Sequence, residues 1–159
     1  MRRSDREVTD IIELTGILDE CKVCRVAFKD DQGLYIVPLN FGYVFHQSQL
    51  VLYFHSAKSG RKLNAIQRDD QVAFEMDGHH RLIEADQACG YGFAFDSLLG
   101  TGSALIVSDF EEKKIGLSLL MKHQTGKAFA FSDAEVSTVT IWKITVSEFT
   151  GKRHQGLSA

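Results

Sequence analysis

The chain changes its hydrophobic period several times. Ile11, Ile12, Thr15 and Leu18 fall on one helical face, which predicts a helix capped by Thr9, with Asp10 favouring the positive end of the dipole, running to about Glu20. From Val23 the period drops to two: Cys24, Val26 and Phe28 share a face of a strand, and Asp30-Asp31-Gln32-Gly33 reads as a hairpin whose glycine supplies a positive φ. Tyr43 to His46 and Leu50 to His55 repeat the alternation around a polar Gln47-Ser48-Gln49 turn. A short helix from about Arg61 to Arg68 interrupts the strands. QVAFEMDG and RLIEAD then read as two strands around Gly78-His79-His80, and Phe93 to Val107 as another, bent near Gly100 and Gly102. Asp109 and Glu112 form a capping-box signature for a helix through Ile115, Leu119 and Leu120 to about His123, with Gly126 as its stop. In the last run Trp142, Ile144 and Val146 share one face while Val139 and Ile141 share the other. Six or more short antiparallel strands with local turns predict a mostly β fold, a barrel whose ends are closed by helices.

Composition narrows the function classes. A length of 159 residues predicts one domain over 1–159, and 44% hydrophobic with 25% charged residues is ordinary globular usage. No stretch approaches the roughly 18 apolar residues that span a bilayer, and MRRSDREVTD lacks the apolar core of a secretory signal, so the expectation is a cytoplasmic protein without membrane contact. A net charge of -3 argues against a nucleic-acid binder, which needs a broad cationic face. Cys21, Cys24 and Cys89 form no disulfide framework; the first two have the spacing of a metal or redox half-site, but no second CxxC accompanies them.

Two features remain that could carry chemistry. Pro38, the only proline, sits inside LYIVPLNFGY, where it cannot donate to a ladder; it marks either a protected sheet edge or a place where backbone groups serve a ligand. In LYFHSAKSGRKLN, a strand runs through His55 into a glycine turn and a helix start, with Lys58, Arg61 and Lys62 packed together. Backbone N–H groups near Ser59 and Gly60 could point at an anion, and Gly60 permits close approach, which suits a phosphate; the alternative is a solvated basic turn. Neither GxxxxGK[ST] nor GxGxxG is present, which disfavours nucleoside triphosphate and dinucleotide folds. His46, His55, His79, His80, His123 and His154 form no convincing triad or metal set, and His79-His80 reads as a surface turn.

In order and spacing, MRRSDRE, YIVPLNFGY, LYFHSAKSGRKLNAI, LLGTGSALIVSDFEEKKIGLSLLMKHQTG and VSEFTGK resemble the FMN-binding split-barrel proteins related to pyridoxamine 5'-phosphate oxidase, particularly their nitroimidazole-resistance branch. The resemblance implies a homodimer with two FMN sites at the subunit interface. Val37, Pro38, Leu39 and Asn40 would present backbone groups to the isoalloxazine ring, while His55, Ser56, Ala57, Gly60 and Lys62 would hold the ribityl phosphate. The partner chain would add residues from Phe95 to Gly100, with Met121, His123 or Trp142. His55 would lie near the reactive part of the flavin, either donating a proton or only binding. Not every substrate-phosphate residue of the oxidase has a match, and Gly151-Lys152-Arg153-His154 only partly resembles its arginine-histidine element.

The basic turn, Pro38 and the resemblance together lead to the expectation of an FMN-dependent oxidoreductase reducing a small planar acceptor, nitroreductase-like or pyridoxamine-phosphate-oxidase-like. The alternatives are a non-catalytic flavin or haem binding or sensing module and a deazaflavin-binding relative. All three need a cofactor that brings its own chemistry and leaves the protein to orient it.

Overall fold

The structure is a computed structural model that describes residues 3–47 and 49–155. Met1, Arg2 and Ser48, which figure in the first matching segment and the polar turn, lie outside these residues. The elements in chain order are β1 (Glu7–Val8), α1 (Ile11–Glu20), β2 (Cys24–Asp30), β3 (Gly33–Leu39), β4 (Gly42–His46), β5 (Gln49–Ser56), α2 (Arg61–Arg68), β6 (Gln71–Ile83), β7 (Gly92–Ile106), α3 (Phe110–Thr125), α4 (Asp133–Val136) and β8 (Thr140–His154). They build an antiparallel sheet in the order β3-β2-β6-β7-β8-β5-β4, with β1 added to β8. The curled sheet stays open, a split barrel, because β3 and β4 each pair on one side only. No helix among the described residues is long and apolar enough to cross a membrane.

Alternation decides which face is inside. Cys24, Val26 and Phe28 of β2 and Trp142, Ile144 and Val146 of β8 all point into the core, as their spacing predicts. At its centre Trp142 stacks on Phe54 with ring centroids 4.3 Å apart and meets Phe28 edge-on at 5.8 Å. Ile141, one residue out of phase, packs in a second cluster with Tyr53 and Val107 beneath α3. Gly33 takes φ 107 in the β2–β3 hairpin, and α2 occupies the predicted span. Pro38 lies on edge strand β3 opposite Arg25, where its missing N–H leaves no broken ladder.

Several local expectations are corrected. Asp10, rather than Thr9, caps α1, accepting from the N–H groups of Ile12 and Glu13 at 2.9 and 3.0 Å. The buried stripe of that helix is Leu14, Ile17 and Leu18, while Ile12 is 78% exposed. Both stripes have helical spacing, and only the sheet behind α1 chooses between them. Asp109 does accept from the Glu112 N–H at 2.8 Å, but the Glu112 carboxylate does not reach back. It accepts instead from the Tyr53 hydroxyl at 3.1 Å and from Lys143 at 2.5 Å, pinning α3 to the sheet. Cys21 follows α1 and Cys24 opens β2; both thiols are buried, and burial pushes Cys21 up to about 11 and Cys24 further, so neither is a ready thiolate.

The two strands expected around Gly78-His79-His80 are one strand. β6 passes through these residues with a bulge between Gly78 and Arg81, and His79 takes φ 55. The true reversal comes after Ile83, near a 3-10 turn at Ala88–Gly90. The bulge turns His79 Nδ1 to within 2.7 Å of Asp96 Oδ2, and Arg153 reaches the same carboxylate through Nε at 2.8 Å. Asp96 is 4% exposed. Burial pushes its carboxyl up, but hydrogen bonds from Arg153 and His79 outweigh that and hold it below the usual carboxylate range. Asp96→Asn should therefore cost about 2 to 3 kcal/mol at pH 7, since it takes the buried counter-charge away from Arg153. A depressed folded pKa gives stability that is present above the unfolded value of about 3.9 and is lost as pH falls through the folded value. Urea unfolding of wild type and variant should show the full gap at pH 7 and a shrinking gap below about pH 4. An equal gap at pH 3 would contradict this account.

Candidate functional site

The first residues of α2 have the geometry of an open helix N-terminus behind a glycine turn. β5 ends at Ser56, the chain turns through Ala57 to Ser59, and Gly60 takes φ 149, a conformation side-chain-bearing residues rarely adopt. The Gly60 carbonyl accepts from the N–H groups of Leu63 and Asn64, and no side chain caps the helix. The leading N–H groups and the positive end of the helix dipole are thus left facing the turn.

Facing this helix start is a pocket of about 220 Å³. Of the residues expected at a phosphate, the pocket brings together Ser56, Ala57, Ser59, Gly60 and Lys62, and Val37, expected at the isoalloxazine ring, lines it as well. Three more line it that sequence reasoning assigned no role or a weak one, Tyr35, Arg61 and Leu63. Ser56 is buried, and its Oγ accepts the indole N–H of Trp142 at 2.9 Å. The Tyr35 ring lies between Phe28, with centroids 5.5 Å apart, and the Arg61 guanidinium, 3.9 Å from the ring centroid. Arg61 is fixed there by Asp30, to which Nε and one terminal nitrogen donate at 2.6 and 2.9 Å. The Tyr35 hydroxyl is buried and has no hydrogen-bond partner among the described residues. Burial raises its pKa, so it stays a protonated donor buried beside the pocket that Tyr35 lines. The only signal for it in sequence was a polar atom on the inward-facing, odd-numbered side of β3.

The other expected residues lie elsewhere. His55 is exposed on the face of β5 opposite to Ser56, as alternation demands, with Ile141 as its cross-strand neighbour. Pro38 faces outward, and Leu39 turns inward against the core. The Asn40 amide donates to the Lys22 carbonyl and to Gln124 Oε1, both at 3.0 Å. Lys22, Gln124 and His123 line a second hollow of about 710 Å³ beside α3. The His123 ring nitrogens lie 2.7 Å from the Phe41 carbonyl and 2.9 Å from that of Leu18, so it ties α3 to α1 and the loop before β4. Trp142 needs a correction. It is fully buried in its own chain, so it has no surface to offer a ligand or a partner, and it reaches the pocket only through Ser56. No group of three or more His, Cys, Asp or Glu side chains among the described residues is placed to hold a metal ion.

The family model for pyridoxamine 5'-phosphate oxidase matches residues 11–153. The chain belongs to that family. Among solved structures, it is similar to a protein from Bacteroides thetaiotaomicron VPI-5482 provisionally assigned to 5-nitroimidazole antibiotic resistance, with 32% identity over 92% of this chain and 86% of that one and a TM-score of 0.79. The fold alone is shared with an FAD and heme binding protein from Mycobacterium smegmatis, at 18% identity over 97% and 76% of the two chains with a TM-score of 0.80. The same holds for a flavocytochrome from Azotobacter vinelandii, at 18% identity over 98% and 72% with a TM-score of 0.78. No curated protein matches the sequence.

Proposed function

We propose that this member of the pyridoxamine 5'-phosphate oxidase family is an FMN-binding oxidoreductase that reduces a small planar acceptor, such as a nitro compound, and works as a homodimer with FMN at the subunit interface. The observation that carries it is the pocket at the start of α2. Uncapped helix N–H groups, Gly60, Lys62 and the hydroxyl-bearing residues Tyr35, Ser56 and Ser59 line about 220 Å³, a volume suited to a phosphate and too small for a tricyclic ring. A buried hydroxyl without a partner fits the same reading, because a native structure rarely leaves such a group unsatisfied.

Once bound, FMN supplies the redox chemistry, and the protein's part is to bind, orient and protonate. Lys62 and the helix start hold the phosphate. Edge strand β3 has unpaired backbone groups on one side, available to the polar rim of a ring. His55, exposed on the outer sheet face, is the side chain free to pass a proton to the acceptor. The dimer is supported by apolar residues on that same outer face: Leu34 is 80% and Ile36 66% exposed on β3, and Leu99 and Leu105 about half exposed on β7. Names borne by relatives support the cofactor class, since two of the similar folds are called FAD- or flavin-containing proteins.

Native mass spectrometry joined to an absorbance spectrum tests both parts. The expected result is a yellow protein whose native mass equals two chains and two FMN, with FMN released on denaturation. A colourless monomer that acquires no flavin absorbance at saturating FMN would overturn it. Flavin that is bound but never passes electrons to an acceptor would instead support a non-catalytic flavin module.

A further inference from the structure

We propose that a third hollow, between α3 and the segment 127–132 that follows it, binds a small aromatic monocarboxylate at a site separate from the pocket at the start of α2. Such a site stands apart from flavin binding and does not require it.

The hollow has a volume of about 420 Å³ and lies along a face of α3 that the sheet does not use. The sheet side of that helix is taken up: Gly116 and Leu120 are buried, and Glu112 is bonded to Tyr53 and Lys143. Glu111, Lys114, Ile115, Ser118 and Lys122, at helical spacing, line the hollow from another face. Opposite them the chain leaves α3 at Gly126 and runs without regular structure to Ser132, the cap of α4. Phe129 and Phe131 of this strap stack with ring centroids 6.4 Å apart. Ser118 sets the separation of strap and helix, because its hydroxyl donates to the Phe129 carbonyl at 2.9 Å. Ile115 on the helix is 55% exposed and Phe129 on the strap 42%, so two apolar walls flank open space. Covering them with a flat apolar body is favourable in proportion to the area removed from water.

Charge then sets the ligand class. Lys114 is neutralised twice, by Glu111 at 2.7 Å and by Asp133 at 2.6 Å, which also ties α4 to α3. Lys122, two turns and so about 12 Å further along the helix, has no ion-pair or hydrogen-bond partner for its ammonium among the described residues. One free cation at the edge of an aromatic-walled hollow is complementary to a flat body carrying one negative charge. A phosphate ester or a dicarboxylate would bring a second charge that no free cation of the lining meets, and an ammonium compound would be repelled by Lys122. An apolar cavity of about 150 Å³ takes benzene, so about 420 Å³ takes a substituted or bicyclic ring.

The test is calorimetric titration of the full chain with 2-naphthoate and with its neutral analogue 2-naphthamide, each with and without saturating FMN. Wild type should bind 2-naphthoate with a dissociation constant of about 10 to 300 µM, ordinary for a ligand of this size. The amide should bind about fivefold more weakly, the upper end for a partly exposed ion pair. Saturating FMN should leave both constants within about twofold, since separate sites without a shared switch do not couple. Lys122→Met keeps an apolar stem and should weaken 2-naphthoate alone, removing the preference, whereas Phe129→Ala should weaken acid and amide alike, about 5- to 10-fold. In amide spectra of the wild type, 2-naphthoate should shift Ser118 and Phe129 and leave Gly60 and Lys62 in place. Equal affinity for acid and amide, or a preference that survives Lys122→Met, would overturn the proposal. Competition with FMN or shifts centred on Gly60 would move the ligand to the pocket at α2 and overturn it too, as would the absence of saturable binding at millimolar 2-naphthoate. Each of these results leaves the proposed function standing, and a chain that binds 2-naphthoate as described but takes up no flavin overturns that function alone.

Discussion

Gly42→Ala should cost about 3 to 5 kcal/mol, enough to leave little folded protein at physiological temperature. Gly42 opens β4 where α3 crosses it, and a methyl group there lands on the backbone nitrogen of Leu120 and the carbonyl carbon of Leu119. An added methylene in a packed core ordinarily costs about 1 to 3 kcal/mol because neighbouring side chains can shift. Here the obstacle is helix backbone, so α3 itself must move. That helix is held by the Glu112 carboxylate to Tyr53 and Lys143 and by the close passage of Gly116 over the Tyr53 ring. Displacing it would break these contacts together, which puts the expected loss above the usual range. Urea denaturation followed by far-UV circular dichroism measures it. A midpoint equal to wild type would show that α3 can ride outward freely, against the packing described here.

How much of this was legible in sequence depended on how local each cause was. The β2–β3 hairpin arises from the alternation of Cys24, Val26 and Phe28 and from the positive φ of Gly33, all settled within ten residues. The span of α2 and the left-handed stop at Gly126 were likewise set by neighbours in the chain. Gly78-His79-His80 failed because a turn and a bulge share the same local signal. What decides between them is the partner strand, where Asp96 waits for His79. The stripe of α1 failed for a similar reason, since two overlapping helical faces were available and the sheet chose.

The candidate site divides along the same line. The basic turn and the glycine before α2 stand together in the chain and could be recognised there. Tyr35, Ser56 and Trp142 come from three strands and meet only in the folded sheet; the resemblance named Ser56 and Trp142, but no spacing announced Tyr35 beside them. His55 and Ser56, adjacent in sequence, are sent to opposite faces by the strand's period of two. A segment that reads as one motif thus serves two surfaces. In the proposed function, phosphate recognition falls to the inner one and any proton transfer by His55 to the outer.

Trp142→Ala should be as damaging as Gly42→Ala, for the opposite reason. The indole is fully buried between Phe54 and Phe28, so its removal leaves a cavity in the tightest part of the core; truncating a large buried aromatic costs about 3 to 5 kcal/mol. Loss of stability alone would not separate packing from the hydrogen bond to Ser56. Trp142→Phe does so, since a phenyl ring keeps most of the stacking and deletes only the donor. That variant should recover most of the stability in urea, remaining about 1 to 2 kcal/mol below wild type for the smaller ring and the lost bond. Its Ser56 hydroxyl is then free to rotate away from the pocket, so FMN affinity should stay several-fold weaker even though the fold has been restored. Stability and affinity that recover together would mean that Trp142 acts on the site through packing only. Affinity that lags behind stability would mean that a residue with no exposed surface orients the phosphate-binding hydroxyl from inside the core.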